Sequence, residues 1–309
     1  MALIGMQQAQ KTVGAMIAGH SPVHAILLYG AAGAGKTALA ERLAKAWLCP
    51  NASEAGACED CGVCRSFHEG RAVDFQRIVP LGRSRIIKQA CIIEDREDED
   101  LKGVAVLTFF RTRPLMSKYK VVLFEEAERM NGAAATALLK TLEEPGEHVR
   151  MILTTSAISR IMPTILSRCV AIACELPDED ETRTLLGDLA DYEQIFSEGA
   201  PGMILGIRGA SEAYCQLFEV CENLLTAPPG AALKLADRFR ASAELLDDKL
   251  KLGARGANTE ALRCLALWVA TKMPDHPHRL QAVIETHRRI IGNANPSAVF
   301  DALFIALLN

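Results

Sequence analysis

Short runs of consecutive apolar residues, separated by amphipathic stretches, dominate the first half of the chain. Ala25-Ile26-Leu27-Leu28-Tyr29 has the continuous apolar character of a strand covered on both faces. Residues 75–79, 120–126, 151–155 and 170–174 read the same way. Between them, 37–48 and 134–142 carry helical periodicity, and Glu143-Glu144-Pro145 stops the second helix. Strands alternating with helices predict a parallel, doubly wound α/β sheet of five strands. From Pro177 onward the strand signals stop. Residues 179–189 and 192–198 read as helices, Gly199-Ala200-Pro201-Gly202 breaks the chain, and a further helix begins near Met203. Breaks at Ala227-Pro228-Pro229-Gly230 and Pro274-Asp275-His276-Pro277 divide a helical C-terminal region. Asn295 is placed to cap the last helix, with Pro296 at its first position. That helix, 297–308, carries Val299, Phe300, Leu303, Phe304, Ile305 and Leu307, so it is expected to be buried against helices of this chain or a partner.

Composition narrows the class. A chain of 309 residues with 50% apolar and 23% charged residues is an ordinary globular protein of two or three domains. The net charge is −4, with a slight excess of Lys and Arg over 1–170 and a clear excess of Asp and Glu over 171–309. The first part can face phosphate, although so small a basic excess equally carries no message; the second is a poor nucleic-acid surface. No apolar run reaches membrane-spanning length, and residues 1–20 lack the features of a signal peptide, which predicts a cytoplasmic protein without membrane contact. In that compartment the ten cysteines do not read as a disulfide framework.

Candidate chemistry begins at Gly30-Ala31-Ala32-Gly33-Ala34-Gly35-Lys36-Thr37, a complete G-x-x-x-x-G-K-[ST] phosphate loop between a strand and a helix. Gly30, Gly33 and Gly35 let the backbone turn its N–H groups onto a phosphate. Lys36 reaches the β- and γ-phosphates, the Thr37 hydroxyl suits Mg²⁺, and the following helix presents its positive end. ATP with Mg²⁺ is the cofactor this predicts. A Mg²⁺ carboxylate and a water-polarising glutamate are expected at the end of a neighbouring strand, where Glu125-Glu126 stands. Glu126 matches the second role. Glu125 is a methylene longer than the usual aspartate, and octahedral Mg²⁺ tolerates misplacement poorly, so binding survives better than hydrolysis. Thr155 and Ser156, at the end of the fourth strand, are placed to sense a γ-phosphate, though hydroxyl residues are common there. Arg168 offers a guanidinium suited to phosphate; by spacing alone it is equally a surface arginine.

A second cluster is Cys49, Cys58, Cys61 and Cys64, spaced C-x8-C-x2-C-x2-C. Four such thiolates close a tetrahedral, structural Zn²⁺ site, against the competing readings of a redox dithiol or unmetallated thiols. The acidic run 94–100 reads as a solvated loop or helix face.

Taken together, these residues resemble the bacterial DNA polymerase III clamp-loader ATPases of the AAA+ class. The resemblance runs through His24-Ala25, the phosphate loop, the four-cysteine insertion, Arg113-Pro114 and Ala127-Glu128-Arg129-Met130-Asn131. It continues through 138–145 and Pro163-Thr164-Ile165-Leu166-Ser167-Arg168-Cys169. It implies an AAA+ domain with a zinc-binding insertion over 1–175, a helical lid over 176–208 and an all-α collar over 209–309. It also implies that Arg168 acts in trans on a neighbour's ATP. Gly202 stands where motor subunits carry a lid arginine, which is similar to the delta-prime branch of the family, although the intact phosphate loop departs from many members of that branch. The acidic run looks like an insertion. A stator subunit is therefore expected, non-catalytic or weakly hydrolysing, within the polymerase holoenzyme. Its expected partners are tau/gamma and delta subunits and, through the complex, a sliding clamp and primed DNA. The rival readings are a motor subunit that hydrolyses ATP itself and a free-standing zinc-bearing nucleotide module.

Overall fold

The structure, a computed structural model, describes residues 5–18, 23–82, 85–93 and 104–308. The acidic run 94–100 lies outside the described residues. The chain divides into two compact units, Met1–Glu181 and Thr182–Asn309.

The first unit is built on five parallel strands: β1 (Ala25–Tyr29), β2 (Phe75–Ile78), β3 (Lys120–Phe124), β4 (Val149–Thr155) and β5 (Val170–Ala173). Their order across the sheet is β2-β3-β4-β1-β5. Each strand expected from the apolar runs is present. The differences lie at the ends: β3 stops at Phe124, leaving Glu125 and Glu126 just beyond it, and β4 begins at Val149. The continuous apolar runs exist because both faces are covered, and successive side chains face opposite ways. Leu27, Val122, Phe124, Met151 and Leu153 pack on one face with α4 (Val106–Arg111) and α5 (Gly132–Glu143). Ile26, Leu28, Val121, Leu123 and Ile152 pack on the other, where α1 (Gln7–Ala18) and α2 (Lys36–Leu48) bring Val13, Leu39, Leu43 and Trp47. A short helix, α3 (Gly62–His68), follows α2, and α6 (Pro163–Leu166) precedes β5.

Because β4 lies between β1 and β3, the segments leaving the carboxyl ends of these three strands converge. Those segments are the phosphate loop, Glu125-Glu126 and Thr155-Ser156. Crevices outside the carboxyl ends of parallel strands are where open α/β sheets bind ligands.

Helix α7 (Glu179–Leu186) spans the division between the units. The second unit is helical: α8 (Asp191–Ser197), α9 (Pro201–Gly209), α10 (Ser211–Asn223), α11 (Ala232–Leu250), α12 (Ala254–Lys272), α13 (Pro277–Ile291) and α14 (Pro296–Leu308). Its core holds Trp268, with Phe239 in ring contact with Phe300 and Phe304 at 5.1 and 5.3 Å. Asn295 Oδ1 accepts the Ser297 N–H at 3.0 Å, the cap expected at the start of the last helix. Of its apolar residues, Val299, Phe300, Leu303, Phe304 and Leu307 are buried within the unit, whereas Ile305 is 46% exposed. The helix therefore has one outward face despite its composition. Among the described residues, no helix is long and apolar enough to cross a membrane.

Candidate functional site

The phosphate loop has the backbone its glycines predict. Gly30, Gly33 and Gly35 have φ of 152°, 76° and 92°. A Cβ on Gly30 would lie 2.2 Å from the Cys174 carbonyl oxygen, so a side chain is excluded where the loop passes the end of β5. Helix α2 starts at Lys36, directly after the loop, and its first N–H groups lack intrahelical acceptors. The Lys36 side chain curls back over the loop. Its ammonium donates to the Gly30 and Ala31 carbonyls at 2.9 and 2.6 Å and to Ser156 Oγ at 3.4 Å. Lys36 is buried, and that burial lowers its pKa, partly offset by Cys174 and Glu128. These neutral acceptors are ones a phosphate oxygen can replace.

The acid half is arranged differently. Thr37 Oγ1 donates to Glu125 Oε2 at 3.4 Å, which joins the two residues expected at a Mg²⁺. The other oxygen of Glu125 is ion-paired with Arg77 Nε of β2, a charge contact rather than a well-directed hydrogen bond. Arg77 Nη1 also reaches Glu41 of α2 at 2.8 Å. Glu126 takes a left-handed backbone, φ 48° and ψ 52°. Its carboxylate is held by Arg85 on one oxygen and by Arg129 Nε at 2.5 Å on the other. Both acids therefore carry arginine partners from their own chain.

At the end of β4 the two hydroxyls part company. Thr155 is buried, and its Oγ1 accepts the Ala157 N–H at 3.0 Å, holding the turn. Ser156 Oγ reaches Lys36, while the Ser156 N–H donates to Glu128 Oε1 at 3.3 Å. Glu128 Oε2 is buried without a hydrogen-bond partner.

Arg168 follows α6. It donates through Nη1 to the Thr164 carbonyl at 2.9 Å and to Ser167 Oγ at 3.1 Å, and Nη2 pairs with Glu143 Oε1, at the end of α5, at 2.6 Å. Its side chain is one-third exposed. The partners described for it include none of the phosphate-loop residues.

The four cysteines converge as the spacing predicts. Their sulfurs all lie within 4.8 Å of one another. Cys49 to Cys58, Cys49 to Cys61 and Cys58 to Cys64 are 3.5, 3.9 and 4.0 Å apart. A tetrahedral thiolate site with Zn–S near 2.3 Å has sulfurs about 3.8 Å apart, so shifts of about 1 Å or less bring the set to Zn²⁺ distances. The Cys58 and Cys64 N–H groups donate to Cys49 and Cys61 sulfurs, both at 3.4 Å. All four thiols are free. Backbone N–H groups of Asp60 and Cys61 draw the Cys58 thiol down to about 6, whereas burial pushes Cys49 up and Cys64 up to about 12. Buried thiolates of that kind become favourable beside a cation.

The family described as DNA polymerase III, delta subunit matches residues 5–177, more than half of the chain. The chain belongs to the DNA polymerase III delta-subunit family. It is 42% identical over 154 residues to DNA polymerase III subunit delta' of Pseudomonas aeruginosa, covering 50% of this chain and 44% of that protein. It is 34% identical over 175 residues to DNA polymerase III subunit tau of Escherichia coli, covering 57% of this chain and 25% of that protein. The chain thus spans less than half the length of these curated relatives. Among solved structures, a DNA polymerase III gamma subunit-related protein from Thermotoga maritima has a TM-score of 0.56 at 17% identity, covering 97% of this chain and 98% of that one. At that identity the likeness concerns the fold alone.

Within this family member, the structure brings Gly30, Gly33, Gly35, Lys36, Thr37, Glu125 and Ser156 to one crevice. Thr155 stands beside it with its hydroxyl committed to the backbone. Sequence reasoning missed Arg77, Arg85 and Glu128. A basic residue at the end of a strand neighbouring Glu125 was the available signal for Arg77; no spacing rule marks Arg85.

Proposed function

We propose that the chain is the delta-prime, stator-type subunit of a DNA polymerase III clamp loader. In this reading it presents Arg168 to the ATP of an adjacent tau/gamma subunit, and its partners are tau/gamma and delta subunits. Through the complex it helps place a sliding clamp on primed DNA, with any DNA contact directed at the backbone. The helices over 176–208 act as a lid and 209–309 as the oligomerising collar. The four cysteines hold a structural Zn²⁺ that fixes residues 49–64, and ATP binds at the phosphate loop with little or no turnover.

The observation that carries this reading is the contrast between the arginines of one unit. Arg77, Arg85 and Arg129 cover the acids that hydrolysis would need, while Arg168 sits partly exposed on a single carboxylate. A guanidinium entering a neighbouring phosphate site stabilises transition-state charge, an effect worth roughly 10³–10⁵ in rate in other phosphoryl-transfer systems. The intact phosphate loop favours the rival reading of a motor subunit.

Reconstitution with tau/gamma, delta, clamp and primed DNA separates the two. The stator reading expects Arg168→Ala to remove turnover at the site it completes, with Lys36→Ala nearly neutral for ATP hydrolysis by the assembly. The reverse pattern overturns it in favour of the motor reading.

A further inference from the structure

We propose that Arg77 supplies the positive charge at Glu125 that Mg²⁺ ordinarily supplies, so that this chain binds nucleoside diphosphate or triphosphate without requiring a divalent cation. The inference rests on reading the phosphate loop as a nucleotide site.

The fit of Mg²⁺ to the residues present is poor. An octahedral ion held at about 2.0–2.1 Å demands well-placed oxygen ligands and gives up its waters reluctantly. Thr37 and Glu125 are the protein groups available. Thr37 Oγ1 donates to Glu125 Oε2, and Glu125 Oε1 is paired with Arg77, so both carboxylate oxygens already face a positive or donor group. The Glu125 side chain is largely buried, which strengthens that pairing over an exposed one. Arg77 is held from its far side by Glu41 of α2, the helix that carries Lys36 and Thr37. A guanidinium stays charged at any working pH, so pH does not release the pairing. A metal ion entering here displaces the Thr37 hydroxyl from Glu125 Oε2, competes with Arg77 for the carboxylate charge, and gains a carboxylate one methylene longer than it favours. The polyphosphate charge is instead met by Lys36, the loop N–H groups and the start of α2.

The test is equilibrium binding of ADP to the full chain, in Mg²⁺ and in EDTA. The expected dissociation constants differ by less than about threefold, because Mg²⁺ adds no contact at Glu125 comparable to a charge-assisted hydrogen bond. Arg77→Gln exposes the carboxylate and is expected to make binding respond to Mg²⁺ by roughly tenfold. Arg77→Lys keeps the charge but cannot reach Glu125 and Glu41 together, and is expected to respond to Mg²⁺ less than Arg77→Gln does. Wild-type binding that collapses in EDTA overturns this inference alone, and that measurement needs no variant. An Arg77→Gln protein as indifferent to Mg²⁺ as the wild type also overturns it. No binding in either buffer overturns the nucleotide-site reading, and this inference with it.

Discussion

The two halves of one crevice are held in opposite ways. On the phosphate side, Lys36 rests on two carbonyls and a hydroxyl, neutral partners that an anion displaces at little cost. On the acid side, Glu125 and Glu126 rest on Arg77, Arg85 and Arg129, partners that only another cation replaces. Charge-assisted contacts are about twice as strong as neutral ones. The groups that would hold a phosphate and those that hydrolysis would need are thus held separately: one side is left free to act while the other is occupied by its own chain.

The sharpest way to break this comparison is to remove one group from each side. Lys36→Ala is expected to weaken ADP binding to the isolated chain roughly 10- to 100-fold, the worth of a charged hydrogen bond. Glu126→Gln is expected to leave it within about twofold, since its carboxylate faces Arg85 and Arg129. Equal losses in a fluorescence titration would show that the halves are not independent.

Releasing the clamp comes next. Arg77→Gln combined with Arg85→Ala and Arg129→Ala frees both acids, and freed, positioned carboxylates are expected to raise ATP turnover by the isolated chain roughly tenfold. A turnover assay that shows no rise would assign the quiet acid half to another group.

A smaller effect is expected from the thiol cluster. Stripping Zn²⁺ with a chelator should expose 49–68 to protease and weaken ADP binding by about threefold, through loosened support of α2 rather than through the acids. Cleavage in that segment that is unchanged by chelator and by Cys61→Ser would remove the structural-metal reading.

The second unit supplies a control for what an arginine does to a carboxylate. Arg208 holds the buried Glu193 carboxyl below its usual range. A carboxylate with a depressed folded pKa contributes stability at neutral pH, and that contribution is lost as pH falls below about 4. Glu193→Gln is expected to cost roughly 1–3 kcal/mol in denaturant unfolding at pH 7, with the two proteins converging as pH is lowered. Parallel pH profiles would show that the pair is not coupled to the fold.

What was legible in the chain follows the range of the interactions. Strands such as Ile26-Leu27-Leu28 and Val121-Val122-Leu123 declared themselves because burial on both faces leaves only apolar residues. The phosphate loop and the C-x2-C-x2-C run are local, so spacing alone places their groups. The arginine clamp is only partly local: Arg129 lies three residues from Glu126, but Arg85 meets it across 41 residues and no spacing marks that pairing. Likewise, Asp74 accepts the Leu115, Met116 and Ser117 N–H groups, a loop support that no pattern around Asp74 announces. Helix α4, six residues long, was too short for its periodicity to stand out. Ile305, exposed in the chain by itself, shows that composition alone does not say which side of α14 faces outward.

Helix α2 is a rod of 13 residues, about 20 Å long, whose first residue is Lys36 and whose C-cap is Cys49. Cys49 is also a corner of the sulfur tetrahedron. The two sites are therefore opposite ends of one stiff member. In the proposed reading, whatever anchors the sulfurs sets the reach of the ammonium at the far end, so that oxidising the four cysteines is expected to act on nucleotide affinity without touching a single phosphate ligand.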